Sequence, residues 1–190
     1  MNNLEKARQA LDRALAENAR VILALEGGAA SGKTTLADQL SRHYAAPVIH
    51  MDDFFLPPQM RTQARFESPG GNIHSERFNV QVAEPLRRGI PFSYDVFDCS
   101  KGQMDGKRTV GWDKLIIVEG VYSLHPLYRD IYTHGFFLRI DPALQERRLQ
   151  ARGEWLYQRF RSLWLPLERA YFTACRPDAC CQLLLDSADS

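Results

Sequence analysis

The residues Gly27-Gly28-Ala29-Ala30-Ser31-Gly32-Lys33-Thr34-Thr35 have the spacing G-x-x-x-x-G-K-[ST], a pattern suited to holding a polyphosphate. Small residues let backbone N–H groups turn inward around phosphate oxygens, and a helix beginning near Lys33 aims the positive end of its dipole at them. In such a loop Lys33 reaches the β- and γ-phosphates, Thr34 offers a hydroxyl to Mg²⁺, and Thr35 caps or packs on the helix. A chance glycine-rich turn would share the composition. It would not be preceded by the apolar run Val21 to Leu25 and followed by Leu36, Ala37 and Leu40 at helical spacing.

Carboxylates at strand ends decide what such a loop is for, because ligands of an open α/β sheet gather at the carboxyl ends of its strands. Asp52 and Asp53 follow the short apolar run Val48-Ile49-His50-Met51, and Glu119 closes K-L-I-I-V-E-G. Phosphoryl transfer to a hydroxyl needs a carboxylate that takes the hydroxyl proton, and Asp52 is the choice for that base. Neighbours on an extended chain point to different sides, so Asp53 is assigned to a metal-bound water or a supporting contact. Glu119 stands where a Walker-B-type carboxylate holds Mg²⁺ water or orients a substrate hydroxyl. The competing readings are a turn-capping pair for Asp52-Asp53 and an ordinary ion pair for Glu119. Arg147, Arg148 and Arg152 cluster on one predicted helix, with Arg159 and Arg161 beyond. A guanidinium brought in by a closing segment would meet the charge of a transferring phosphoryl group, and Arg148 and Arg152 are preferred for that role. A solvated helix face would carry similar residues.

These groups need elements to position them. Leu4, Ala7, Leu11, Ala14 and Leu15 predict an amphipathic helix from Asn3 to about Asn18. A second helix runs from the loop to about His43 or Tyr44, before Pro47. Phe54 to Ile73, with Pro57, Pro58, Pro69, Gly70 and Gly71, shows no sustained period and reads as a long loop covering a substrate. Glu76 to Arg88 reads as a helix, and Pro91 to Trp112, around Asp105-Gly106, as a hairpin or two-strand flap on the substrate side. Phe136 to Ile140 is a buried strand, and Asp141-Pro142 starts the arginine helix. Helical stretches at about Glu154 to Arg161 and Leu167 to Cys175 lie either side of Pro166, with a last strand at Cys181 to Leu185. Strands alternating with helices predict an α/β fold with a mostly parallel sheet covered on both faces, in one domain over 1–190.

The composition excludes several classes. With 24 basic and 23 acidic residues the net charge is +1, so no global field draws nucleic acid or a membrane surface. The apolar runs are far shorter than a membrane span and no signal-peptide core is visible, which makes a cytoplasmic protein the expectation. Cys99, Cys175, Cys180 and Cys181 have no metal-ligand spacing and read as reduced thiols. A switch GTPase would carry N-K-x-D and D-x-x-G and a transporter ATPase an L-S-G-G-Q-type signature; the sequence has none of them.

Taken together, G-G-A-A-S-G-K-T-T, the strand-end D-D-F-F, the run V-E-G-V-Y and the arginine-rich helix after F-F-L-R-I-D-P resemble the uridine kinase and phosphoribulokinase superfamily, which includes nicotinamide riboside kinases. The likeness extends from about Val21 to Phe172. It implies a nucleoside-monophosphate-kinase-like sheet with a helical lid at about 141–166, MgATP as donor, and a small-molecule hydroxyl as acceptor. By the same resemblance Lys33 and Thr34 match the phosphate and magnesium residues, Asp52 the catalytic aspartate, Glu119 the later carboxylate, and the Arg148 to Arg152 region the lid. Ser93 to Cys99 matches the acceptor segment of uridine kinases only loosely, and no histidine directly follows it. A nucleoside or related riboside is the acceptor class implied. A sugar phosphate or other small alcohol, with Arg61, Arg65, His74 and Arg77 as contacts for an anionic one, stays open, as does an acceptor-free regulatory NTPase. The sequence leaves the oligomeric state open.

Overall fold

The computed structural model describes residues 1–187. Its strands are β1 (Val21–Gly27), β2 (Val48–His50), β3 (Phe92–Asp98), β4 (Gln103–Val110), β5 (Leu115–Glu119), β6 (His134–Arg139) and β7 (Leu183–Asp186). The helices are α1 (Asn3–Glu17), α2 (Lys33–Tyr44), α3 (Gln63–Glu67), α4 (Ser75–Phe78), α5 (Glu84–Arg88), α6 (Pro142–Gln150), α7 (Glu154–Arg159) and α8 (Leu165–Cys175). Strands β2-β5-β1-β6-β7, in that spatial order, form a parallel sheet, and β3 and β4 form a separate antiparallel hairpin. The chain thus has an α/β fold with a parallel central sheet flanked by helices.

Alternation along β1 and β5 divides the interior in two. Val21, Leu23, Leu25, Leu115 and Ile117 point to one side, where Ala7, Leu11 and Ala14 of α1 and Leu36, Ala37 and Leu40 of α2 cover them. Ile22, Ile116 and Val118 point to the other, onto an aromatic cluster of Phe54, Phe78, Tyr94, Tyr122, Tyr128 and Tyr171. Both faces are buried, which is why these strands read as continuous apolar runs.

The stretch after β2 is more ordered than a long loop. Met51–Phe54 and Pro58–Met60 are 3₁₀ turns, α3 follows, and a bridge between Phe55 and Ile73 pins the two ends together. The hairpin turns at Cys99 to Gly102, and Asp105-Gly106 lie within β4, not at the turn. Asp98 decides this: its Oδ1 accepts from the N–H groups of Ser100 at 2.7 Å and Lys101 at 3.2 Å, closing the turn with its own side chain. Two helices expected to be separate or regular contain π-helical turns. Asn79–Ala83 joins α4 to α5, and Phe160–Trp164 joins α7 to α8, so Pro166 does not interrupt the helix. Pro85 and Pro166 each lie just beyond such a turn; a widened turn relieves the clash of a proline ring with the carbonyl four residues earlier.

Candidate active site

The chain leaves β1 through Gly27, at φ 151°, where a Cβ would stand 2.4 Å from the carbonyl oxygen of Leu138 on the neighbouring β6. Only glycine lets the loop start against that strand. The loop then runs through Ala30, a non-glycine in the left-handed region at φ 60°, and Gly32, and enters α2 at Lys33. The N–H groups of Lys33, Thr34 and Thr35 in the first turn of α2 have no acceptor among the described residues, so they and the helix dipole face the loop's interior. Lys33 is buried and its Nζ donates to Gly28 O at 3.1 Å, folding the ammonium back over the loop.

Thr34 and Glu119 meet because both belong to the α2 side of the sheet. The Thr34 hydroxyl lies 3.3 and 3.4 Å from the two Glu119 oxygens. Glu119 is 4% exposed and also holds His50 Nδ1 at 2.6 Å. That hydrogen bond to Glu119 raises the His50 pKa, against desolvation, which lowers it. Asp52, in the 3₁₀ turn that follows β2, reaches solvent while protein closely surrounds it. This partial desolvation pushes its carboxyl up, the charge of Lys33 pulls it down, and Glu119 raises it again. Lys33, Thr34, Asp52, Glu119 and His50 are therefore one electrostatic group at the carboxyl ends of β1, β2 and β5.

Asp53 is placed differently from the expectation of a metal-water ligand. It is buried, its Oδ2 accepts from the Tyr94 hydroxyl at 3.1 Å, and Arg108 Nε stands 3.6 Å away. Tyr94 and Arg108 are paired across the β3–β4 hairpin, so Asp53 ties the flap to the end of β2. The arginines and histidine considered for an anionic acceptor are mostly engaged within the protein. Arg65 pairs with Glu76 at 2.5 Å, His74 Nδ1 caps α4, and Arg77 donates to Asp53 O at 2.5 Å and to Asp95 O while lying over the Phe54 ring. Arg61 gives its Nε to Leu56 O at 2.8 Å.

On the other side of the loop Arg148 and Arg152, from α6 and the turn after it, line a cleft of about 560 Å³ with Ala30, Ser31, Gly32, Thr35 and Gln39. Thr35 thus faces this cleft. Arg148 also donates to Ala30 O at 3.0 Å.

Two buried acids next to the loop escaped the sequence reading. Glu26, the last residue before Gly27, points to the aromatic side of the sheet and is fully buried. Its oxygens accept from the N–H groups of Gly27, Tyr122 and Leu124 at 3.1 Å each, from the Ser123 hydroxyl at 3.4 Å and from Tyr171 Oη at 2.9 Å. An acid closing an otherwise apolar strand was the available signal. Glu168 on α8 accepts from Ala29 N and gave none, being one charge among several on a helix.

Removing the Glu26 side chain strands several buried donors at once. Glu26→Ala is expected to lower the unfolding free energy by roughly 2–4 kcal/mol, read from urea midpoints. Burial pushes the Glu26 carboxyl from 4.5 up to about 7 in the folded protein, with its hydrogen bonds pulling the other way. A folded pKa above the unfolded one gives stability that is complete below the unfolded pKa and declines as the pH rises through about 7. The stability difference between wild type and Glu26→Ala should therefore be larger at pH 5 than at pH 8; an equal difference would show that Glu26 ionises at an ordinary pKa.

No family model matches the chain. Solved structures do match it over nearly their whole length. A Bacillus stearothermophilus protein provisionally assigned as a uridine kinase superposes with a TM-score of 0.70 at 22% identity, covering 95% of this chain and 100% of its own. A Silicibacter sp. TM1040 protein, provisionally assigned as a fructose transport system kinase, gives 0.73 at 23% identity over 97% and 98%. YFH7 of Saccharomyces cerevisiae, described as a P-loop kinase with a circular permutation, gives 0.63 at 14% identity over 98% of each chain. Among the described residues no helix is long and apolar enough to cross a membrane. The loop at residues 27–35, the parallel sheet that carries it and these superpositions show that the chain shares the α/β fold of these structures, a parallel central sheet flanked by helices.

Proposed function

We propose that the protein is an ATP-dependent kinase that transfers a phosphoryl group to a hydroxyl of a small molecule, a nucleoside or related riboside being the acceptor class that its sequence resembles most. The observation that carries this reading is Asp52, an open carboxylate within the electrostatic reach of Lys33 and Glu119. A loop that only bound nucleotide would have no need of a proton-accepting carboxylate there, and a hydrolase would use one on water, so the acceptor dependence of turnover separates the two.

The residues fit the donor. First-turn N–H groups and Lys33 suit phosphate oxygens, and the cleft beside Arg148 and Arg152 would receive the nucleoside part. Thr34 and Glu119 present hard oxygens of the kind Mg²⁺ takes alongside water and phosphate, and would hold that ion. MgATP, when bound, supplies the phosphoryl group and a cation that neutralises its charge. Asp52 then orients the acceptor hydroxyl and takes its proton as the new P–O bond forms. His50 keeps the Glu119 carboxylate oriented toward Thr34. Tyr94 and Arg108, anchored on Asp53, fix the hairpin that would border the acceptor. Arg152 and Arg148 would meet charge on the phosphoryl oxygens, with the 141–166 segment excluding water. We place this chemistry in the cytoplasm.

The test is turnover of ATP and Mg²⁺ with panels of nucleosides, ribosides, pantothenate-like alcohols and sugar phosphates, reading ADP release. ADP should appear at a substantial rate only with one hydroxyl class present. Steady ADP release that no acceptor stimulates would instead make the protein a nucleotide hydrolase.

A further inference from the structure

The phosphate-binding loop is held in shape by side chains from outside it, and one of them is a buried acid. Glu168 of α8 is 6% exposed. Its Oε2 accepts from Ala29 N at 2.8 Å and its Oε1 from Gln145 Nε2 at 3.1 Å. The same Gln145 nitrogen, on α6, donates to Ala29 O at 3.0 Å, so the N–H and the C=O of Ala29 are both held. Arg148 holds the next carbonyl, that of Ala30. These contacts converge on the strained part of the loop, since Ala30 lies in the left-handed region, a conformation unfavourable for an L-residue that persists only where its surroundings impose it. Gly28 makes the approach feasible. A Cβ there would stand 3.0 Å from Glu168 Oε1 and 3.1 Å from Gln145 Nε2.

We propose that Glu168 is a positioning residue of the donor site, acting through Ala29: with Gln145 it fixes the Ala29–Ala30 turn so that the loop stands ready for phosphate. The inference rests on the kinase reading above insofar as that loop is the donor site. Because α6 opens the 141–166 segment and α8 continues from its end, the same contacts link both ends of that segment to the phosphate loop. A carboxylate is suited to the task. It accepts from the Ala29 N–H and from Gln145 together; burial holds its pKa above the ordinary value, with the Ala29 N–H, Lys33 and Gln145 acting in the opposite direction.

The experiment needs no acceptor. Affinity for MgADP is measured by calorimetry on the full chain, beside melting temperature, for wild type, Glu168→Gln, Glu168→Ala and Gln145→Ala. Wild type should bind MgADP; absence of binding would overturn the donor-site reading itself. Glu168→Gln, which keeps an oxygen for the Ala29 N–H, should bind within about threefold of wild type. Glu168→Ala should bind about 10- to 100-fold more weakly, the worth of one charge-assisted hydrogen bond, while melting within a few degrees of wild type. A further variant combining Glu168→Ala with Gln145→Ala should lose less than the product of the single losses, because both side chains act on one residue. With wild-type binding intact, an affinity for Glu168→Ala within threefold of wild type overturns the proposal. So does tighter binding, which would make Glu168 a competitor of phosphate, or a loss in Glu168→Gln equal to that in Glu168→Ala. If Glu168→Ala fails to fold, Gln145→Ala decides: weaker binding at an unchanged melting temperature supports the positioning role, and unchanged binding removes it.

Discussion

Asp52→Asn is expected to lower kcat by about 10²–10⁴-fold, the usual worth of a positioned general base, with little change in ATP affinity. Asparagine keeps the shape and the hydrogen-bonding capacity of the side chain and removes only its basic oxygen. Because the loss falls on the transfer step, kcat/KM for the acceptor should decline with kcat. The neighbouring substitution is the control that the geometry provides. Asp53 is turned into the protein, bonded to Tyr94 and facing Arg108, so Asp53→Asn should cost stability and acceptor affinity more than kcat. Equal kcat losses from the two substitutions would mean that the pair shares one role. Full phosphorylation of acceptor by Asp52→Asn together with severe loss in Asp53→Asn would exchange their assignments, leaving Lys33, Thr34 and Glu119 as the surviving site.

Lys33→Ala should abolish measurable transfer. The lysine is 8% exposed and positioned by the loop it serves, through Gly28 O. In the ground state a lost charge-assisted phosphate contact is worth ~1.5–3 kcal/mol, or about 10- to 100-fold in MgADP affinity. The effect on kcat should be larger, because the phosphoryl group carries its greatest demand for stabilisation during transfer. Lys33→Arg should rescue little, since a planar fork does not occupy the buried place of a compact ammonium. Circular dichroism unchanged from wild type would show that the loss is not one of folding. A variant retaining near-normal kcat would remove the donor site from residues 27–35.

What could be read from the sequence was local. The P-loop spacing, the apolar runs at Val21 to Leu25 and Leu115 to Val118, and the start of α6 each depend on residues within a few positions of one another. At α6, Asp141 Oδ1 accepts from Ala143 N and Leu144 N as an N-cap before Pro142 should. That Lys33, Thr34, Asp52 and Glu119 lie at or just beyond the carboxyl ends of strands followed from a rule about strand ends, and needed no knowledge of strand order. The remaining features depend on residues distant in the chain. Asp52 and Asp53 look alike until Tyr94 and Arg108, some 40 and 55 residues on, select one of them. Glu168 becomes part of the loop only because α8 packs against Gly28. The π-helical turns before Pro85 and Pro166 were illegible for another reason: proline argues locally for a helix end, whereas a widened turn before it lets the helix continue.

The order of strands in the sheet has a bearing on how the chain is made. β1 leaves the ribosome early, yet its two neighbours are β5 and β6, joined in registers such as Leu25 with Glu119 and Gly27 with Leu138. About ninety residues of synthesis therefore separate the central strand from its first partner, and at ~5–20 residues per second that is a wait of roughly 5–20 seconds. Throughout that interval V-I-L-A-L, a β-prone segment without charge, lacks both of its strand neighbours, with only α1, α2 and residues such as Phe54 and Phe78 to pack on its faces. The nascent chain is thus a natural client for a chaperone between the emergence of α2 and that of β6, and a truncation ending before Leu115 would be insoluble rather than a smaller version of the same fold.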